Sequence, residues 1–530
     1  MTPEILIPLL FLLGAFGCLL SGYPVAFGLG GMSVVVLGAL VGLSILGVEI
    51  QGANGWPLID ASSWRDLSPL ADKVYQLMAP SGQTLLAIPL FILMGVLLHR
   101  SGLAEQLFEA VQSLVSRLPG GLGASVVTVG GLLAASTGVV GASVVTLTAI
   151  ALPALVAQGY GPRRAAGIVT ASGTLGQIIP PSIILILLAE QVGAQFQAAQ
   201  IAQGDFTPMA VTSGDLFRSA LLPGILVLIG FAVLASLQGW TIKPERQTWP
   251  KQGKQAAGLK LSPLGLLGRI VPPVGLIVLV LGSILAGVTD TTSAASFGAV
   301  GALVLASRDG RLIWPGLLCA VALFTWHLLG ASEALRPVGL GLYLGLLGVI
   351  GWSGVLTLRR GILAAATFDM LRLSAMIYAI IIGAGLFALT FKALGGQDVM
   401  TQAFHALTTA TGANDPAQAA HLALLYLLII IFLLGFVLEF IEIIVVVLPL
   451  ALPVVFSVPA DVLDPIWAGI LIALTLQTSF LTPPFGVALF YFRGAAPQHG
   501  TALQLYIGVL PFIGVQVLVI LMVWFFPALI

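Results

Sequence analysis

The sequence predicts an all-α integral membrane protein of about twelve transmembrane helices plus two re-entrant hairpins, arranged as inverted repeats. Three observations carry this. The 530 residues are 58% hydrophobic and 8% charged, with a mean hydropathy of +1.09; about a quarter of the residues of an ordinary soluble chain are charged, so this composition suits lipid. Apolar stretches long enough to cross a hydrocarbon layer of about 30 Å recur along the whole chain. A double proline interrupts an apolar stretch at matching places in the two halves, at Pro180-Pro181 and at Pro483-Pro484.

Spans are expected near 4–20, 24–47, 84–99, 164–189, 216–239, 269–288, 293–307, 314–331, 338–358, 374–391, 466–492 and 503–528. The first begins with Glu4 and lacks a basic leading region, so it reads as a retained span and not a cleaved signal peptide. The regions 121–158 and 418–457 are expected to enter and leave on one face as hairpins. Orientation follows from Lys and Arg, which cytoplasmic loops carry in excess. With the N-terminus outside, sixteen of the 21 basic residues fall inside, leaving Arg65, Lys73, Arg218, Arg336 and Lys392 outside. Both termini are therefore expected on the outer face. A net charge of zero offers no basic patch for nucleic acid. Cys18 and Cys319 lie in apolar stretches and read as packing residues, not as a disulfide.

Three features recur in the same order. The amphipathic stretch from Gly102 is answered from Gly396, an offset of 294; Pro153 by Pro449, an offset of 296; and Pro180-Pro181 by Pro483-Pro484, an offset of 303. Five spans precede residue 240, an odd number, so the second unit starts on the opposite face. Inverted repeats of this kind are a recurrent plan of secondary transporters. The expected organisation is scaffold helices and an arm over 1–118, a hairpin, broken helix and last helix over 119–239, and a cytoplasmic loop over 240–268. The second unit repeats this over 269–417 and 418–530, with an additional helix pair at 314–358.

Residues 134–148 are rich in small and hydroxyl side chains around Gly138 and Gly141, which suits a tight turn offering Ser136, Thr137 and Ser143 as oxygen ligands. Close helix packing through small residues is the rival reading. In Ser172-Gly-Thr-Leu-Gly-Gln-Ile-Ile-Pro-Pro-Ser182 two prolines remove two donors, so the helix must break and free carbonyls. A simple kink is the alternative. Glu439 and Glu442 are the acids expected at membrane depth, where carboxylates usually face a cavity, an ion or a partner. A buried structural pair is the alternative there. The five histidines, His99, His327, His405, His421 and His499, have no metal-ligand spacing, and no nucleophile elbow, phosphate-binding loop or HExxH pattern occurs. No enzymatic activity is expected.

Ile88-Pro-Leu-Phe-Ile-Leu-Met-Gly, Leu152-Pro-Ala-Leu with Gly159-Tyr, Gly173-Thr-Leu-Gly-Gln-Ile-Ile-Pro-Pro-Ser, the segment Gly435 to Pro453 and Leu481-Thr-Pro-Pro-Phe-Gly together resemble the large membrane subunit of tripartite ATP-independent periplasmic (TRAP) transporters. The resemblance implies an elevator-type carrier with scaffold and transport domains in the bacterial inner membrane. It also implies sodium coupling, no cofactor, a small four-helix membrane partner, and a periplasmic binding protein delivering an organic acid. The chain departs from the family pattern at Thr137-Gly-Val-Val140, which loses two hydroxyls, at Asp290-Thr-Thr-Ser293, and at Glu442, where a small residue is usual. The runs Glu439-Phe-Ile-Glu442 and Gln477 to Gly486 look like the branch labelled for mannitol, chloroaromatic or 2-oxo acid compounds.

On that resemblance two sodium ions are expected. Ser136, Thr137, Gly138, Ser172, Gly173 and Gly176 would hold one; Gly435, Glu439, Gln477, Thr478 and Thr482 would hold the other. Substrate is expected at Thr137, Gly138, Gly141, Pro181, Ser182, Glu442 and Pro484, between half-helix N-termini that offer positive dipole ends. Proton coupling through Glu439 and Glu442, a stand-alone divalent-anion carrier, a channel and an intramembrane hydrolase are the rival functions.

Overall fold

The structure is a computed structural model that describes residues 3–48, 83–115, 120–137, 140–205, 207, 209–241, 263–309, 336–412, 415–484 and 486–530. Among these, every regular element is helical. The first half comprises α1 (Pro3–Leu20), α2 (Val25–Ile45), α3 (Gln83–Arg100), α4 (Leu103–Val115), α5 (Gly121–Thr137), α6 (Val140–Ala157), α7 (Pro162–Thr174), α8 (Ile183–Ala202) and α9 (Ser213–Trp240). The second comprises α10 (Pro263–Leu285), α11 (Thr291–Ala306), α12 (Arg336–Arg359), α13 (Ile362–Ala393), α14 (Gly396–Ala410), α15 (Pro416–Leu434), α16 (Phe440–Val455), α17 (Pro465–Ser479), α18 (Val487–Ala495) and α19 (Ala502–Phe525).

Helix ends follow local chemistry. Asp290 caps α11 by accepting from Thr292 N and Ser293 N at 3.0 and 3.1 Å, so the run that departs from the family pattern still starts its helix. Thr212 and Asp215 form a capping box at α9, as Thr501 and Gln504 do at α19. Cys18 lies 3.9 Å from the Met32 sulfur, a packing contact between α1 and α2; Cys319 is outside the described residues.

The halves correspond element by element, with α12 left over. Helix α3 packs along α11 while its counterpart α13 packs along α2. The same exchange recurs with α7 on α19 and α17 on α9, and with α6 on α18 and α16 on α8. Each half thus completes the other. The counterparts α3 and α13 run in opposite directions: Arg100, ending α3, ion-pairs with Asp369 near the start of α13, while Tyr378 further along α13 donates to Leu85 O at the start of α3, 3.1 Å away. Glycines set the closest approaches. A Cβ on Gly383 of α13 would overlap the backbone of Ala26 on α2, and one on Gly167 of α7 would overlap the backbone of Gly508 on α19.

Polar contacts at helix ends sort the termini into two groups. Arg100 with Asp369, Arg360 with Ser307 O, Arg269 with Glu109 and Arg164 with Gln238 O join ends that the alternation of basic residues puts together. Gln200 with Val458 O, Gln203 with Phe456 O and Arg218 with Leu285 O join the opposite ends.

Among the described residues the count of twelve spans is not reached. Eight described helices are singly long and apolar enough to cross a membrane, or nine with the bent pair α3 and α4. The apolar parts of α1 and α11 are shorter, at Glu4–Leu20 and Thr291–Ala306. The expected spans 164–189 and 466–492 are each divided by their double proline. The span 314–331 and the loop 242–262 lie outside the described residues. Conversely, the hairpin arms α6 and α15, at 18 and 19 residues, are long enough to cross. Helix α13 starts at Ile362, twelve residues before the expected 374, because the charges of Asp369 and Arg372 read as loop while Asp369 is in fact paired across to α3.

Candidate functional site

Two hairpin tips meet two helix breaks. In the first half α5 and α6 pack against each other and against α7. Gly130 of α5 lets Ser172 approach so that an added Cβ would lie 2.6 Å from the Ser172 Cβ, and Gly173 leaves only 3.0 Å between an added Cβ and the Val144 Cα of α6. Ser172 is fully buried and its hydroxyl donates to Ile168 O at 2.6 Å. Gly173 is thereby a glycine of close approach. Gly176 sits in the single 3₁₀ turn Leu175–Gln177 that ends the helical run, after which Pro180 and Pro181 supply no donor to the carbonyls of Gly176 and Gln177. Ser182 donates to Gln177 O at 2.7 Å and caps α8 by accepting from Leu185 N at 3.4 Å. Gly176 keeps a carbonyl that the proline cannot serve. The side chains of Ser136 and Thr137, which end α5, and all of Gly138 lie outside the described residues.

In the second half Gly435 ends α15 directly against Ser479 of α17, with no room for a Cβ between them. Phe440 and Phe480 meet edge to face, ring centroids 5.7 Å apart. The tip therefore lies beside a break that has α17 on one side and α18 on the other, which places it part-way along a divided span. Glu439 takes the N-cap position of α16, and the Glu442 carboxylate accepts from Glu439 N at 3.1 Å. Glu442 is buried, and it turns back on its own helix start. Beyond it the helix widens to a π turn over Ile443–Val447, where Pro449 cannot donate to Val445 O.

At the second break Thr478 donates to Thr475 O at 2.6 Å, and Thr482 donates to Thr478 O at 2.7 Å. Gln477 is fully buried, and neither its amide oxygen nor its nitrogen has a partner among the described residues. A buried unpaired amide is costly, about 1–3 kcal/mol for each group left unsatisfied. Such a side chain in a site of hydroxyls and carbonyls fits a hard cation. Pro484 offers its carbonyl to Tyr506 Oη at 3.2 Å. Pro181 is buried in the first break.

The first hairpin also meets the second broken helix across the halves. A Cβ on Gly141, in the first hairpin, would fall 2.5 Å from Tyr491 Cζ of α18, and Tyr491 stands within electrostatic reach of Glu439. Tyr491 thus touches the first hairpin at Gly141 and lies within electrostatic range of Glu439. A separate cleft of about 590 Å³ opens between α8 and α16 on one side and α13 and α14 on the other, bordered by Gln195, Gln203, Lys392, Gln397 and Ser457.

Residues 12–529 match the family described as the tripartite ATP-independent periplasmic transporter, DctM component. The chain belongs to that DctM family. A C4-dicarboxylate TRAP transporter large permease protein DctM of Vibrio cholerae is 27% identical over 500 residues, covering 94% of this chain and 96% of the relative. A protein of the same description from Rhodobacter capsulatus is 30% identical over 278 residues, which is 51% of this chain and 59% of that one. Among solved structures, the YdaH transporter of Alcanivorax borkumensis superposes with a TM-score of 0.54 at 14% identity, covering 99% of both chains, a likeness of fold. DctM proteins are transporter permease subunits, not enzymes, and the multi-pass membrane character expected from composition agrees.

Of the DctM site residues expected from sequence, the structure brings Gly435, Glu439, Gln477, Thr478 and Thr482 to one tip and break, and Ser172, Gly173 and Gly176 to the other. Glu442 lies at the same helix start, its carboxylate accepting from Glu439 N. Sequence reasoning missed Tyr491 and Gln516. Gln516 of α19 is fully buried with both amide atoms unpartnered among the described residues. Trp467 donates to Val523 O, so α17 and α19 run antiparallel, and Gln477 falls about one turn from the level of Gln516. A lone amide in the middle of an apolar span was the signal available for it.

Proposed function

We propose that this DctM-family permease couples inward movement of sodium to uptake of an organic acid, a carboxylate or 2-oxo acid. The observation that carries the reading is the unpartnered Gln477 amide at a break lined by Thr478 and Thr482 hydroxyls, beside a tip bearing Glu439. Two carboxylates near an anionic substrate repel it unless a cation stands between, and sodium takes oxygen ligands without requiring their deprotonation. Gly435, Glu439, Gln477, Thr478 and Thr482 would hold one ion. Ser172, Gly173 and Gly176, with Ser136, Thr137 and Gly138, would hold the second. The substrate would lie where Gly141, Tyr491 and Glu439 converge, with Ser182 at the N-terminus of α8 offering a dipole end.

The names of the relatives, C4-dicarboxylate permeases, support an anionic substrate. The tripartite family description supports a small membrane partner and a periplasmic binding protein. The mutual packing of α3 with α11 and α2 with α13 supports a scaffold against which the hairpins and broken helices move as an elevator. The excess of basic residues on one group of helix ends supports an inner-membrane protein with both termini periplasmic.

Uptake into proteoliposomes holding the partner subunits tests the reading. Accumulation is expected only with an inward sodium gradient and the loaded binding protein. Equal uptake driven by lithium, potassium or a proton gradient alone sinks sodium coupling, and uptake that never saturates favours a channel.

A further inference from the structure

The geometry points to a second anion site away from the transport path: a pocket on the arginine-bearing face that takes the phosphate of an anionic phospholipid headgroup. It has a volume of about 450 Å³ and is lined by Arg100, Ser101, Gly102, Arg308, Arg360 and Ile362. The three guanidinium groups come from three elements and both halves: the end of α3, the segment after α11, and the turn between α12 and α13. These six lining residues include no acid, though Asp369 pairs with Arg100 and the Glu105 carboxylate stands 3.4 Å from where a Gly102 Cβ would lie. Arg100 directs Nε and Nη2 outward to Asp369 at 2.7 and 2.5 Å, and Arg360 Nη1 donates to Ser307 O at 2.6 Å, so both side chains are held in place by bonds that leave other N–H groups unused.

The Arg308 guanidinium makes no hydrogen bond or ion pair among the described residues; neither Asp369 nor Glu105 pairs with it. Its backbone lies at φ 52°, the one non-glycine residue among those described with a positive φ. Glycine would take that conformation without strain, yet an arginine stands there. Its guanidinium lies over Gly102, itself at φ 69°, where any Cβ would collide with it. Two backbone peculiarities therefore bring one unpaired guanidinium into a pocket that already holds two.

The surroundings favour a lipid as the source of the phosphate. Leu347, Trp352, Val355 and Leu358 of α12, with Phe368 and Leu371 of α13, are exposed on the two helices that meet at the Arg360 turn. Arg360 sits in the turn between these helices, and Arg100 and Arg308 sit at the ends of α3 and α11, where spans of this length would reach the headgroups. A basic pocket between spans on the positive face suits an acidic headgroup, and a guanidinium fork suits phosphate oxygens. A soluble phosphate would use the same arginines and ignore the apolar flank.

Native mass spectrometry of the detergent-purified full chain, titrated with phosphatidylglycerol or with phosphatidylcholine, tests this. Wild type is expected to retain phosphatidylglycerol, and R308Q/R360Q to lose retention by about fivefold for each arginine removed. R308K/R360K should keep most of it, R359Q/R372Q on the same face should match wild type, and phosphatidylcholine adducts should not change. Millimolar inorganic phosphate should leave the phosphatidylglycerol adduct in place. Equal retention by wild type and R308Q/R360Q overturns the site. Displacement of the lipid by inorganic phosphate overturns the lipid as its occupant.

Discussion

Gly435 lies against Ser479 with no space for a Cβ between them, and this contact seats the second hairpin tip on the second break. Gly435→Ala must push α15 from α17 or twist Ser479 from its 2.6 Å bond to Leu476 O. Overpacking of this kind costs about 1–3 kcal/mol. Uptake by Gly435→Ala is expected to fall at least several-fold, with a lower melting temperature. Ser479→Gly removes the colliding side chain, so the double variant should recover much of both losses. Wild-type transport by Gly435→Ala alone would show that the tip does not rest there during the cycle.

Gln477 offers a separate reading of the sodium hypothesis. If the amide is a ligand, Gln477→Leu removes a burden from the ion-free protein and a ligand from the ion-bound one. Melting in sodium-free buffer is then expected to rise, by an amount reflecting about 1–3 kcal/mol, while the stabilisation by added sodium shrinks. An ion that binds only the folded chain contributes more as its concentration rises, so the slope of melting temperature against sodium is the measurement. Parallel slopes for wild type and Gln477→Leu would remove the residue from the site.

Much of this arrangement was legible because the bilayer imposes simple rules. A double proline removes two donors and can break a helix, so Pro180-Pro181 and Pro483-Pro484 marked both breaks and the matched hairpins followed, although Pro272-Pro273 is carried inside α10 without one. What sequence periodicity could not show was which glycines also serve packing: Gly173 reads as a ligand position in the chain, and the structure adds that a Cβ there would lie 3.0 Å from the Val144 Cα. Tyr491 was hidden because its neighbours Gly141 and Glu439 are distant in sequence and belong to different hairpins. Glu442 stood out in the sequence for its charge; that its carboxylate also accepts from the backbone N–H of the cap position, three residues earlier, is a contact the structure adds.

That bond makes opposite predictions for the two acids. In Glu442→Gln the amide oxygen still accepts from Glu439 N, so uptake is expected to stay within a few-fold of wild type with an unchanged pH profile. Glu442→Ala loses the bond and about 1 kcal/mol of stability. Glu439→Gln, by contrast, should raise the sodium concentration giving half-maximal uptake by tenfold or more, because a ligand loses its charge. A pH profile that flattens in Glu442→Gln would favour proton coupling instead.

The exchange of partners between halves can be tested without reference to any ligand. Gly167 and Gly508 bring α7 and α19 together backbone to backbone, and Gly383 does the same for α13 against Ala26 of α2. Backbone cannot rotate aside as a long side chain can, so Gly167→Ala, Gly508→Ala and Gly383→Ala each force two helices apart along their length. Gly275 and Gly282 of α10 have nothing within 4 Å of where a Cβ would stand. Alanine there should be neutral or stabilising by up to about 1 kcal/mol through its higher helix propensity. Monodisperse yield in detergent and melting temperature are the measurements. The three contact variants are expected to lose several degrees or fail to fold, and Gly275→Ala and Gly282→Ala to match or exceed wild type. Equal behaviour of the two sets would mean that the halves do not interlock through these glycines.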